Sequence, residues 1–155
     1  EIVRQIEALL PDLPGGGRTA ALLKSRRAQL VAAMPGLKER AKTLIELIEG
    51  ASFLFAERPL PLDDKAAALL NAEGRETLKK AVPVLERAEP WSAETTEAAI
   101  RDLAETLGMK LGAVAQPLRA ALTGKSTSPG IFDVLNVLGK EESLGRLRDQ
   151  VQKAA

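Results

Sequence analysis

The chain has 155 residues, 45% apolar and only 3% aromatic, with 22 basic residues against 21 acidic and a formal net charge of +1. It contains no His and no Cys, which excludes His acid–base catalysis, Cys–His nucleophiles, disulfides and Cys/His zinc sites. No apolar run is long enough to cross a bilayer and no stretch has the form of a secretory leader. The Ala- and Leu-rich composition therefore predicts an all-α, cytoplasmic chain with no membrane partner and no catalytic or metal-binding residue of its own.

Residues 1–10, EIVRQIEALL, carry apolar side chains at helical spacing, and a helix starting at the first residue reads as part of a longer protein. PDLPGGGR breaks it. The glycines at 15–17 follow no strand pattern and lack a Gly-Lys-Ser ending, so they read as a flexible loop and not as a phosphate cradle. TAALLKSRRAQLVAAM predicts a second helix. PGLKERAKTLIELIEGASFLF predicts a third, with Pro35 in its first turn, where a missing N–H costs nothing, and with Phe53 and Phe55 in the core.

AERPLPL is an extended connector. DDKAAALLNAEG predicts a short helix capped by Asp63 or Asp64 and ended at Gly74, and RETLKKAVPVLERAE one kinked or broken at Pro83. A boundary is expected near Glu89–Pro90, giving two small helical-bundle subdomains, 1–89 and 90–155, with Trp91 as a staple-like contact between them. Ser92 and Gly108 suit the two ends of the next helix. KLGAVAQPLRAALTG, SPGIFDVLNVLG and KEESLGRLRDQVQKAA supply three more, with Phe132, Leu135 and Leu138 facing inward.

The near-neutral total hides a polarised distribution. From Arg18 to Lys42 there are seven basic residues and one acid, from Thr43 to Leu107 thirteen acids and seven bases, and from Gly108 onward seven bases and four acids. Basic segments of this kind are the footprint that phosphate neutralisation leaves on nucleic-acid-binding proteins, although charged helix faces also vary in sign by chance.

The segment QPLRAALTGKSTSPGIF concentrates distinctive chemistry. Ser128 is placed as an N-cap and Pro129 as the first helical residue, opening a helix over 130–138. The unpaired N–H groups of such a terminus suit a phosphate or a base acceptor. Arg119, in a helix interrupted by Pro117, is suited to an edge-on or stacked contact with a base, and Thr123 and Lys125 stand nearby. A plain helix start accounts for the same residues.

The runs LKERAKTLIELIEGASFLF and KLGAVAQPLRAALTGKSTSPGIFDVLNVLGKEESLGRLR resemble the anticodon-binding region of bacterial-type glutamyl-tRNA synthetases. The resemblance covers nearly the whole chain and is densest from Pro90 to Arg148. It implies an RNA-recognition module of a class I ligase that joins glutamate to tRNA-Glu with ATP and Mg2+. The catalytic Rossmann-type domain would lie outside this chain, which alone would be inactive. It implies that Arg119, Ser128, Pro129 and Ile131 contact anticodon bases of the sequence pyrimidine-U-C; Lys125, read from its charge and its place in the loop, would stand near the RNA backbone. An Arg in the first subdomain would read the third base: Arg40 is the nearest match in KERAKTL, with Lys42 as the fallback. The partner implied is the anticodon loop of tRNA-Glu and not DNA, bound by a monomer. The competing reading is a helical protein–protein interaction module without RNA binding.

Overall fold

A computed structural model describes residues 2–9 and 16–152. Among them are nine α-helices and one short 3-10 turn, and no strand. The helices are α1 (Ile2–Leu9), α2 (Gly16–Arg40), α3 (Leu44–Gly50), α4 (Asp64–Leu69), α5 (Ala72–Glu86), α6 (Ala93–Leu107), α7 (Leu111–Thr123), α8 (Ile131–Leu138) and α9 (Lys140–Gln152). The all-α expectation holds. The chain divides into two compact units, residues 1–56 and 57–155.

In the first unit, α2 replaces the two helices expected on either side of Pro35. Leu30, Ala33, Met34 and Leu37 are all buried, and this one continuous apolar stripe carries the helix through the proline. The departure from helical geometry sits instead at Arg26, with φ −119° and ψ 18°, whose Nη1 donates to the Leu54 carbonyl. Gly16 and Gly17 belong to α2, so part of the expected glycine loop is helical. The remainder of PDLPGGGR, residues 11–15, lies outside the described residues.

The expected third helix breaks at 41–43. Thr43 Oγ1 accepts from the Glu46 N–H at 3.2 Å while Glu46 Oε2 accepts from the Thr43 N–H at 3.3 Å. This reciprocal capping box starts α3 afresh. Phe53, Leu54 and Phe55 close the unit in a buried 3-10 turn, as the core reading expected of the two phenylalanines.

In the second unit α5 packs against α6, α7 and α9, while α7 also meets α4, α8 and α9. Leu78, Leu85, Ile100, Leu118, Leu122 and Leu135 are fully enclosed among them. Because α5 precedes Glu89–Pro90 and its partners follow it, the boundary expected at that peptide falls inside a packed unit. Trp91 accordingly acts within this unit: its Nε1 donates to the Leu135 carbonyl at 2.9 Å, tying the chain before α6 to α8.

Local signals set most helix ends. Asp63 caps α4 by accepting from the Ala66 N–H at 2.7 Å, and Ser92 caps α6 through the Thr95 N–H at 3.1 Å. At the far end of α6, Gly108 adopts φ 65°. Met109 there donates to Ala104 at 2.9 Å and Gly108 to Glu105 at 3.1 Å, a Schellman arrangement.

Gly74 does not end a helix. Asn71 caps α5 and accepts from the Gly74 N–H at 2.9 Å. A Cβ at position 74 would stand 2.0 Å from the Leu69 carbonyl oxygen, so the glycine permits the close approach of consecutive helices. Pro83 and Pro117 lie inside continuous helices. Each proline removes one backbone hydrogen bond, but the buried residues on both sides of it keep the helix on course.

Candidate nucleic-acid interface

The distinctive loop starts where α7 ends. Gly124 takes φ 74° and its N–H donates to Ala120 O at 2.9 Å. Its carbonyl accepts from the Asp63 N–H at 2.9 Å, and a Cβ here would lie 2.3 Å from Pro61 O. Both the positive φ and the close approach of the 61–63 backbone require glycine. One residue earlier, Thr123 Oγ1 donates to Arg119 O at 2.8 Å and accepts from the Lys125 N–H at 3.2 Å. Before that, Leu122 O accepts from Arg146 Nη1 of α9 at 2.7 Å. Three consecutive residues are thus held by three different anchors.

Arg119 lies in the continuous α7 and turns back onto the loop instead of pointing off a helix end. Its Nε donates to Ser128 Oγ at 2.9 Å, and the Ser128 hydroxyl donates to Pro129 O at 2.7 Å. Ser128 therefore does not cap α8. The residue preceding that helix is Gly130, and no side chain caps its first turn. With its hydrogen bonds directed to Arg119 and Pro129, and only 8% of its surface exposed, the serine acts as a bracket for the guanidinium.

Pro129 is buried, and Ile131, at 4% exposure, opens α8 with its side chain in the core. Lys125, Thr127 and Gly130 are exposed, and Ser126 is half-buried. Phe132, expected to face inward, is only partly covered, because Ile131, Val134, Leu135 and Leu138 form the buried stripe of α8. Asp133 is exposed in the first turn of α8 and its Oδ2 lies 3.1 Å from where a Cβ on Gly130 would be. That carboxylate compensates the positive helix end and makes this terminus a weaker phosphate site than the bare motif implied.

The structure thus brings Arg119 and Ser128 into contact and sets Lys125 and Pro129 in the same loop. Arg40 and Lys42 belong to the first unit. Arg40 closes α2, and its side chain lies outside the described residues. Lys42 is exposed in the break before α3, and its backbone N–H donates to Glu46 Oε2 at 2.6 Å. Of the basic run that precedes them, Arg26 serves the Leu54 carbonyl and Arg27 pairs with Glu7 at 2.9 Å, so part of that charge is spent within the unit. Arg146 carried no signal in the sequence: in GRLRD it reads as one of two surface arginines, yet it is fully buried.

Residues 4–151 match the family described as the anticodon binding domain. The chain belongs to this family. It is 63% identical over 145 residues to glutamate–tRNA ligase 2 of Brucella ovis and, over the same length, to glutamate–tRNA ligase 1 of Brucella melitensis. The matches take in 93% of this chain and 31% of each relative, so the chain spans about a third of the length of these ligases. Its fold is that of part of a glutamate tRNA ligase from Elizabethkingia meningosepticum, with a TM-score of 0.69, 23% identity, and coverage of 95% of this chain and 31% of that one. A glutamate-tRNA synthetase from Elizabethkingia anophelis matches at TM-score 0.65 and 22% identity, over 96% of this chain and 30% of that one. The family match describes this chain as an anticodon-binding domain, and the two solved structures share its fold.

Among the described residues no group of three or more Asp or Glu side chains is placed to hold a metal ion. No described helix is long and apolar enough to cross a membrane.

Proposed function

We propose that this chain reads the anticodon loop of tRNA-Glu for a cytoplasmic glutamate–tRNA ligase, which with ATP and Mg2+ attaches glutamate to that tRNA. The observation that carries the reading is the Arg119–Ser128 bracket in the 124–130 loop. A guanidinium held through Nε has its plane fixed, and a fixed planar donor is what edge-on hydrogen bonding or stacking against an unpaired base requires.

Burial divides the work among the site residues. Arg119 supplies directional donors and Lys125 an exposed point charge for the RNA backbone. Ser128, Pro129 and Ile131 keep little surface, so their contact with a base is narrow: a backbone group, a ring edge or a single methyl. Arg40, with Lys42 beside it, provides a second contact from the first unit, directed at the third anticodon base. The chain acts as a monomer on one RNA.

The test is binding of the chain to a glutamate-type anticodon stem-loop and to a scrambled loop over a series of salt concentrations. The proposal predicts tighter binding to the first, with log K falling linearly in log salt as phosphate contacts are screened. Equal, salt-insensitive association with both would rule it out.

A further inference from the structure

We propose that Arg146 is a positioning residue for the RNA-reading loop: from α9 it fixes the end of α7, and through it the placement of Arg119. Its functional meaning rests on the proposal above. Its geometry does not.

The Arg146 side chain has 0% of its surface exposed. Nε donates to Glu142 Oε1 at 2.9 Å, one turn back along α9, and Nη1 crosses to Leu122 O at 2.7 Å. Leu122 lies in the last turn of α7, where backbone carbonyls run out of intrahelical donors. Arg119 O takes the Thr123 hydroxyl, Ala120 O takes the Gly124 N–H, and Leu122 O takes the Arg146 guanidinium.

Burying a charge is costly, and a buried ion pair replaced as a whole by apolar side chains is often as stable or more so, although removing one partner alone is destabilising. Stability alone therefore gives a poor account of a guanidinium at this point. What it adds over an apolar side chain is direction: a planar fork that ties one helix to one carbonyl of another.

The consequence runs two residues further. Thr123 carries the constraint to Arg119 O and to the Lys125 N–H, and Gly124 pins the turn to Asp63. The loop then returns to Ser128, whose hydroxyl receives Arg119 Nε at 2.9 Å. Whether that bond forms depends on the spacing between the end of α7 and Ser128, which the Arg146–Leu122 bond helps to set. Releasing Leu122 lets the end of α7 turn, and Arg119 loses its bracket although no residue of the RNA surface has changed.

The test uses the 155-residue chain with Arg146→Met, which keeps the length and apolar volume but removes the fork. Two readouts go beyond stability. One is the protection of the Arg119 Nε–H against solvent exchange, followed by nitrogen-15 NMR. The other is the ratio of affinities for two anticodon stem-loops differing in one base, measured for Arg146→Met, Arg119→Ala and the double variant. We expect Arg146→Met to keep its helix content, to lose protection at Arg119 Nε–H, and to lower the ratio at least about fivefold, with little further loss on adding Arg119→Ala.

Unchanged protection, or effects of the two substitutions that simply add, would overturn the proposal. Should Arg146→Met fail to fold, Arg146→Lys has one donor centre for two acceptors and is read the same way, an unchanged ratio and protection overturning it. If the unmodified chain does not distinguish the stem-loops, the RNA-reading proposal fails, and the NMR signal alone decides the role of Arg146.

Discussion

Gly124→Ala tests how tightly the loop is built, and Gly108→Ala is its control. Both glycines have positive φ, 74° and 65°, and each follows the last residue of a helix. An alanine held in the left-handed region costs about 1 kcal/mol at either position. At Gly108 nothing stands within 4 Å of the new methyl group, so that is the whole effect. At Gly124 the methyl would lie 2.3 Å from Pro61 O, and real Cβ contacts stay beyond 3.0 Å. The turn must back away by about 0.7 Å, which breaks the 2.9 Å bond from the Asp63 N–H to Gly124 O and costs about 1 kcal/mol more. The expected loss is therefore about 2 kcal/mol for Gly124→Ala against about 1 for Gly108→Ala. Urea unfolding followed by the fluorescence of Trp91, the sole tryptophan, reports the second unit selectively, and unchanged slopes license the comparison. Equal losses at the two positions would show that the contact with Pro61 does not constrain the loop.

Gln150 is fully buried and neither of its amide atoms has a hydrogen-bond partner among the described residues. Gln150→Met should raise stability by about 1–2 kcal/mol, read from the same urea curves, because an unpaired buried amide is replaced by an apolar side chain of like size. Ser92→Ala removes the acceptor for the Thr95 N–H and should cost about 1 kcal/mol in that assay. Arg119→Ala should weaken binding of a glutamate-type stem-loop by about 1–3 kcal/mol, depending on which base is present. Lys125→Ala should weaken all stem-loops alike and flatten the salt dependence, as measured by titration calorimetry at several salt concentrations.

Much of the fold was legible where one local signal had no competitor. Asp63, Ser92 and Gly108 do what their residue types predict, and the apolar stripes of α6 and α8 mark true helices. The readings that differ concern residues whose role is decided by what lies across the fold. Pro35 and Pro83 read as helix starts or breaks from local rules, but buried stripes on both sides override a single missing N–H. The Thr43–Glu46 capping box was visible in TLIE and outweighed the apolar continuity that joined the segments around it. Ser128 had every attribute of an N-cap, and only the position of Arg119, nine residues back, reveals a different partner. The burial of Arg146 was beyond sequence reasoning, since nothing in GRLRD separates it from exposed Arg148. For the loop itself, Thr-Gly and Ser-Pro-Gly located the turn, while the reason it must be glycine lies in Pro61, on another segment.

The most direct test of the central claim is a binding titration against two anticodon stem-loops identical except for the third anticodon base, C or G, with the unmodified chain and with Arg40→Ala. The account predicts salt-sensitive binding of both by the unmodified chain, a clear preference for C, and loss of that preference in Arg40→Ala. Equal affinity of the unmodified chain for the two loops, at every salt concentration, would contradict it.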